Sequence, residues 1–350
     1  MNNSVLPFQQ NGEKVQATYD AFKAVLLAVN ALVVLVSIIG NILVVITFVK
    51  TQSLRASTNY YITSMAVSDL LLVSTDWPMY LSSRLSPFGH SLSSFQCRLG
   101  MYLRPVSYSV SIASLVLITV DRFIAVVHLM KVTIITKRVR SVFISLTWVL
   151  SMGIFAPIIN ISTTPEEHDE PYLCASENGG IVFIVYIIIG FVLLYCVPLI
   201  VIIILNTRIM KFLKRKNPAI QGIGHRNTRL KQNQRIMKIL LTMTVSFVIC
   251  WTLFYTAIFL LVFLQKVLTR NIKEIVHVFC YYFLPFASTA VNPLILFTFS
   301  TNYRQGLKNC LCLAVRKCCS SIVREEEVIE ENVELPELRW LLWEGLTLRS

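Results

Sequence analysis

The chain has 350 residues, of which 55% are hydrophobic and only 15% charged, far from the composition of an ordinary soluble domain. A net charge of +13 would suit a nucleic-acid binder, but the basic residues gather in alternate connections between long apolar stretches, which excludes that reading and describes a polytopic membrane protein. Residues 1–23 and 301–350 are all that lie beyond these stretches, too little for a sizeable soluble core.

Seven spans are predicted, at roughly Ala24–Val49, Asn59–Leu81, Phe95–Val127, Val139–Ile161, Ile181–Phe212, Ile236–Leu264 and Ile272–Phe299, each near or above the ~20 residues a spanning helix needs. The expected fold is an all-α membrane protein: an extracellular segment (1–23), a seven-transmembrane helix bundle (24–300), a short amphipathic interfacial helix with a cysteine cluster (301–319), and an acidic cytoplasmic tail (320–350). The first apolar run is too long for a signal peptide and lacks a basic leader, so no cleavable signal is expected. Lys50 and Arg55 follow span one, Lys131, Lys137, Arg138 and Arg140 follow span three, and Lys211, Lys214, Arg215, Lys216 and Arg226 lie at and after the end of span five. The intervening connections are poor in Lys and Arg or acidic, as at Glu166, Glu167, Asp169 and Glu170. The positive-inside rule then puts the amino terminus outside and the carboxyl terminus inside the plasma membrane.

Nearly every span carries a polar residue that hydrocarbon rejects: Asn41, Asp69, Arg104 with Arg122, Asn206 and Asn292. Such residues face a bundle axis or a hydrated cavity and mark function by default. On span two, Asp69 and Asp76 share a face, one at mid-depth and the other nearer the outside. Two readings of Asp69 stay open: a sodium ion held with oxygens of Ser111, Ser288 and Asn292, or a protonated carboxyl in interhelical hydrogen bonds. On span three, Arg104 and Arg122 return to one face because a helix turns about 100° per residue, and Tyr108, Ser111, Leu115 and Ile118 complete the stripe. The stripe reads as the wall of a cavity open to the outside and closed by Leu115 and Ile118. Asp76 lies at a depth where it meets Arg104, either as a salt bridge alone or as two poles of a ligand site. At the inner end, Asp121 beside Arg122 reads as a regulated ion pair rather than a snorkelling arginine.

The nine cysteines sort by side of the membrane. Cys97 and Cys174 fall outside, where they can oxidise, and a bridge between them would stabilise by about 4–5 kcal/mol in the chain-entropy model. Cys196, Cys250 and Cys280 are apolar packers within spans. Cys310, Cys312, Cys318 and Cys319 follow the last span beside an amphipathic pattern of Tyr303, Leu307, Cys310 and Leu311, which favours palmitate over zinc. Sequons at Asn2 and Asn160 fall on the outer side.

With these motifs in order, the chain resembles a rhodopsin-like G protein-coupled receptor over about Ala24 to Cys319. The resemblance rests on Gly40-Asn41, Met65-Ala66-Val67-Ser68-Asp69, Cys97, Asp121-Arg122-Phe123, Trp148, Cys174, Pro198, Phe247 with Cys250-Trp251, Asn292-Pro293 and Tyr303-Arg304. It implies that Asp69, Ser111, Ser288 and Asn292 surround an allosteric sodium ion. It implies that Phe247, Trp251, Asn292 and Pro293 relay ligand binding, that Arg122 faces the G protein, and that Cys97 and Cys174 form the outer disulfide. Departures are equally plain. Leu253 stands where the family has a helix-loosening proline, Asn206 and Leu296 where it has tyrosines, and Leu129 where a proline is common. These changes predict weak or unusual coupling.

Span seven has no lysine for a retinal Schiff base, since Phe286 occupies that place, and Arg104 stands where amine receptors carry an aspartate. The expected ligand pocket comprises Asp76, Arg104, Tyr108, Trp251, Phe254, Tyr255, Tyr282 and Phe286. The expected ligand is a peptide whose basic segment meets the acidic second outer loop, with a small anionic or lipid molecule as the rival. Expected partners are that ligand, a heterotrimeric G protein, membrane lipids and arrestin to a limited extent, without nucleic acid. No internal repeat supports a transporter, and no metal cluster, nucleophile constellation or phosphate loop supports an enzyme or a cofactor beyond sodium.

Overall fold

The computed structural model describes residues 7–55, 58–85, 94–127, 136–163, 175–176, 181–216, 224–264, 267, 269–310 and 312. The chain order is α1 (Pro7–Lys50), a short 3-10 turn (Gln52–Arg55), α2 (Asn59–Leu85), α3 (Ser94–Val127), α4 (Lys137–Phe155) and α5 (Ile158–Ile161). After these come β1 (Ser162–Thr163), β2 (Ala175–Ser176), α6 (Ile181–Gly190), α7 (Val197–Lys216), α8 (Gly224–Phe263), α9 (Arg270–His277) and α10 (Leu284–Phe299). Two π-helical turns, Phe191–Cys196 and Val278–Phe283, join α6 to α7 and α9 to α10 into continuous spans.

The all-α expectation holds except for one small correction. β1 and β2 form a two-residue antiparallel pair, Ser162 against Ser176 and Thr163 against Ala175, in the connection read as loop. Its strands are too short to leave a periodic pattern in the sequence.

Six stretches are each long and apolar enough to cross a membrane: 17–50, 95–127, 137–160, 184–213, 234–263 and 275–299. The seventh helix, α2, is not among them because its interior is polar. Ser64, Ser68, Asp69 and Asp76 are all buried against neighbouring helices, and a helix wrapped by protein on that face can carry them at membrane depth. The outward faces are the reverse. Leu32, Leu35, Ile39, Ile42 and Ile46 on α1, and Val142, Leu146 and Val149 on α4, are exposed large hydrophobics at helical spacing, a pattern that needs hydrocarbon as solvent.

Polar ties hold the interior together where apolar burial gives no net drive between helices in lipid. Asn41 Nδ2 donates to the Ser37 carbonyl (2.9 Å) and the Thr289 carbonyl (3.2 Å), and the Ser37 and Thr289 hydroxyls are 2.7 Å apart. Trp148 Nε1 donates to Ser64 Oγ at 3.1 Å and Ser151 Oγ to Ser109 Oγ at 2.9 Å. Each such contact is worth roughly 0.6 kcal/mol on average. Gly40 explains the seam between α1 and α10: a Cβ there would lie 2.6 Å from the Pro293 ring, closer than any side chain permits.

α4 starts where Thr136 caps it, its hydroxyl accepting from Val139 N at 3.3 Å. Residues 301–310 are helical; Tyr303 is buried with its ring edge-on to Phe297, while Arg304 and Lys308 are exposed. The acidic tail and its Trp340 and Trp343 lie outside the described residues.

Candidate functional site

The stripe on α3 forms as the sequence predicts, with Arg104, Tyr108, Leu115 and Ile118 buried and Ser111 partly so. It does not line one continuous cavity. An upper cavity of about 130 Å³ near Arg104 and a lower one of about 30 Å³ near Asp69 are both lined by Tyr108. The Tyr108 ring meets Trp251 edge-on at 4.8 Å between centroids, and Trp251 lies 5.2 Å from Phe254. The closure therefore falls at Tyr108 and Trp251, above the Leu115 and Ile118 expected to provide it. Leu115 lines the lower cavity, and Ile118 is packed in the core.

In the upper cavity Arg104 is the one charged wall residue among the described residues, with Met101, Tyr108, Phe155, Phe254, Tyr255 and Tyr281 beside it. Its Nε donates to Asp76 Oδ2 at 2.7 Å, with both side chains almost fully buried. Its guanidinium also sits over the rings of Tyr281 (4.9 Å) and Tyr282 (5.3 Å), a cation–π cradle. The salt bridge expected as one alternative is thus formed, and it neutralises the arginine from outside the cavity. Four expected pocket residues, Arg104, Tyr108, Phe254 and Tyr255, line this cavity. Asp76, Trp251, Tyr282 and Phe286 do not line it. Phe286 and Tyr282 pack with Val34, Val73 and Tyr80 in a separate buried cluster, with Trp77 against it. Trp251 belongs to the lower cavity.

Tyr281, which sequence reasoning missed, takes the wall position assigned to Tyr282. The π-helical turn over Val278–Phe283 is the reason: its Leu284 N–H reaches back to the Phe279 carbonyl, adding one residue to the turn. The extra residue shifts the face by one position, so the ring presented to the cavity is Tyr281 where a regular α-helix would present Tyr282. No residue pattern in the sequence announces such a turn.

The lower cavity gathers all four residues of the expected sodium site. Ser111 Oγ donates to Asp69 Oδ1 at 2.9 Å, Asn292 Nδ2 donates to Asp69 Oδ2 at 2.9 Å, and Ser288 lines the same space. Met243, Phe247 and Trp251 supply its apolar wall. A volume near 30 Å³ matches one water-sized occupant, and a carboxylate with two hydroxyls and an amide oxygen is a hard donor set that suits sodium.

At the inner end of α3 the expected ion pair is recast. Arg140 at the start of α4 donates to Asp121 Oδ1 from Nε (3.0 Å), its Nη2 lies 2.9 Å from the same oxygen as an ion pair, and Thr58 Oγ1 donates to Oδ2 at 3.0 Å. Arg122 Nη2 is farther from Oδ2, at 3.4 Å. Arg140 and Thr58 were missed because each stands at the end of a span, where a basic residue or a threonine reads as topology signal or cap. Two-point contact from a guanidinium outcompetes a single longer contact for one carboxylate.

The relay positions inferred from the resemblance sit as follows. Phe247 and Trp251 are buried with their ring centroids 6.1 Å apart. Pro293 is buried against Gly40. Leu253 is exposed on the outward face of α8, which runs unbroken from Gly224 to Phe263, and Leu296 is buried. Cys97 is fully buried and disulfide-bonded, while Cys174 lies outside the described residues. Asn160 is exposed, and Asn2 lies outside the described residues. Cys310 and Cys312 are free thiols; Cys318 and Cys319 lie outside the described residues.

Residues 40–296 match the family described as the 7 transmembrane receptor (rhodopsin family). Among curated proteins the chain is 28% identical to the substance-K receptor of Mus musculus over 305 residues, covering 85% of this chain and 77% of the relative. It is 26% identical to a QRFP-like peptide receptor of Branchiostoma floridae, covering 67% and 63%. It is 26% identical to neuropeptide FF receptor 2 of Mus musculus, covering 84% and 74%. A seven-helix membrane bundle with an interior carboxylate cluster, an aromatic divide and a match across most of its length belongs to the rhodopsin-like family of G protein-coupled receptors.

Proposed function

We propose that this receptor binds an extracellular peptide, one end of which enters the upper cavity at Arg104, and that binding activates heterotrimeric G proteins at the opposite end of the bundle. The observation that carries the reading is the composition of that cavity: about 130 Å³ of mostly apolar, aromatic wall with a single charged residue among those described. That volume suits one side chain or chain terminus rather than a whole ligand, so the remainder of a larger molecule lies above it. The curated relatives named as peptide receptors support the same class. The Asp76 partner argues against a small anion, because Arg104 is already neutralised and offers oriented N–H groups rather than net positive charge.

Transmission starts at Tyr108, which borders both cavities. A ligand pressing on Tyr108 or Phe254 displaces Trp251 and, through it, Phe247 on α8. Asp69, Ser111, Ser288 and Asn292 hold a sodium ion that favours one arrangement of α2, α3 and α10. Arg122 meets the G protein, Cys97 pairs with Cys174, and the amino terminus is extracellular. Cys310, Cys312, Cys318 and Cys319 accept palmitate, Asn2 and Asn160 are glycosylation sites, and arrestin binding is limited because the tail after the cysteines offers only Ser320, Ser321, Thr347 and Ser350 as phosphoacceptors.

The test is nucleotide exchange by purified G proteins on the reconstituted receptor, screened with peptide, lipid-acid and small-anion libraries. Peptides are expected to raise exchange while lipid acids and small anions leave it at baseline. Activation by a small carboxylate alone would replace the peptide reading with its rival.

A further inference from the structure

A third cavity, of about 340 Å³, lies between α7 and α8 and shares no wall residue with either axial cavity. Ile203, Met210 and Leu241 give it an apolar lining, Asn206, Thr207 and Thr244 a polar one, and Lys211 stands at its edge. Ile203, Thr207, Met210 and Lys211 are exposed, so the cavity opens sideways to whatever surrounds the bundle, which at this depth is lipid.

Asn206 is the unusual member. It is only 4% exposed, and its Nδ2 donates to Thr244 Oγ1 at 3.3 Å. Its Oδ1 is buried without a hydrogen-bond partner among the described residues. Thr244 cannot serve it, because that hydroxyl already donates to the Leu240 carbonyl at 2.7 Å. A carbonyl oxygen left unpaired at membrane depth is costly and calls for a donor from outside the chain. Five residues on, roughly 7.5 Å along the helix axis, Lys211 lies within one turn of Leu213, where the apolar span ends and headgroups begin.

The geometry points to a lipid site here for a single-chain anionic lipid that carries a hydroxyl or amide N–H just below its headgroup. The anion pairs with Lys211, the donor satisfies Asn206 Oδ1, and the aliphatic chain lies against Ile203 and Leu241. Room for on the order of ten water-sized groups accommodates part of one chain and excludes a pair. Lysophosphatidates and N-acyl amino acids both present this chemistry. The inference is independent of what enters the upper cavity.

The receptor in phosphatidylcholine nanodiscs, titrated and read by native mass spectrometry, tests it with four probes. Oleoyl lysophosphatidate and N-oleoyl glycine carry charge and donor, oleate lacks the donor, and monoolein lacks the charge. At least one of the first two is expected to bind about fivefold or more tighter than oleate and monoolein, the scale of one well-placed hydrogen bond or ion pair, and which one does so names the source. Asn206→Leu should lower that probe to the affinity of oleate, and Lys211→Gln to that of monoolein. Ile203→Trp, on the exposed wall, should abolish binding while leaving the melting temperature within a few degrees of wild type. Equal binding of all four probes, or binding unchanged in Ile203→Trp, would overturn the site and leave the gap to water.

Discussion

At the scale of single residues, function depends on how each buried charge finds its partners. Asp121 has two cations within reach and is held more closely by Arg140 than by Arg122. Removing the Arg140 contact leaves Arg122 as the remaining close cation, so Arg140→Gln should tighten Arg122 against Asp121 and lower basal nucleotide exchange severalfold. Basal exchange that rises in this variant would mean that Arg140 itself restrains the inner end. Asp69 gives a second prediction. With Asn in its place the lower cavity loses the one charge among its described lining residues, so agonist affinity should become insensitive to sodium between 0 and about 150 mM, while the wild type weakens as sodium rises. Equal sodium dependence in the two proteins would remove Asp69 as the binding group. Much of this chemistry was legible in the sequence, because Asp69, Ser111, Ser288 and Asn292 are each a polar group in an apolar stretch. Thr58 and Arg140 were not, since polar residues at span ends are ordinary and only the folded distance to Asp121 singles them out.

At the scale of helices, the sequence told position well where the 3.6-residue period held and failed where it did not. The α3 stripe emerged as read, but the π-helical turn before α10 displaced Tyr282 from the cavity and brought Tyr281 to it. The seam between α1 and α10 depends on the absence of a single methyl group. Gly40→Ala puts a Cβ 2.6 Å from the Pro293 ring and should destabilise the receptor by about 1–3 kcal/mol, seen as a lower melting temperature in detergent. An unchanged melting temperature would show that the two helices separate freely. α8 carries the most consequential departure from the family pattern. Leu253 sits on its outward face, and the helix is regular through this point, with Thr252 held to Tyr195 across the gap to α6–α7 at a 2.7 Å hydroxyl contact. Leu253→Pro removes one backbone donor and loosens the helix. Agonist-stimulated exchange should rise at least twofold in this variant at equal expression, and a fall would show that regularity here aids coupling.

At the scale of the whole molecule, hydropathy defined the bundle and one helix resisted the rule. α2 has too many polar residues to qualify as a span by composition, yet it is the helix whose carboxylates organise both ends of the axial site, Asp76 with Arg104 and Asp69 with Ser111 and Asn292. Its apolar length places it among the seven spans read from the sequence, and the inward direction of its polar face explains why it is less apolar than the rest. In the proposed mechanism a molecule seated against Arg104 biases an opening at the far end of the bundle through Tyr108 and Trp251. Replacing Arg104 alone would leave Asp76 as an unpaired buried charge and confuse folding with binding, so both partners must be changed together. The decisive measurement is the peptide concentration that half-maximally stimulates nucleotide exchange, compared between wild type and the Arg104→Gln, Asp76→Asn double variant at matched melting temperature. The double variant is expected to need at least a tenfold higher concentration, and identical dose–response curves would rule out Arg104 as the ligand's anchor.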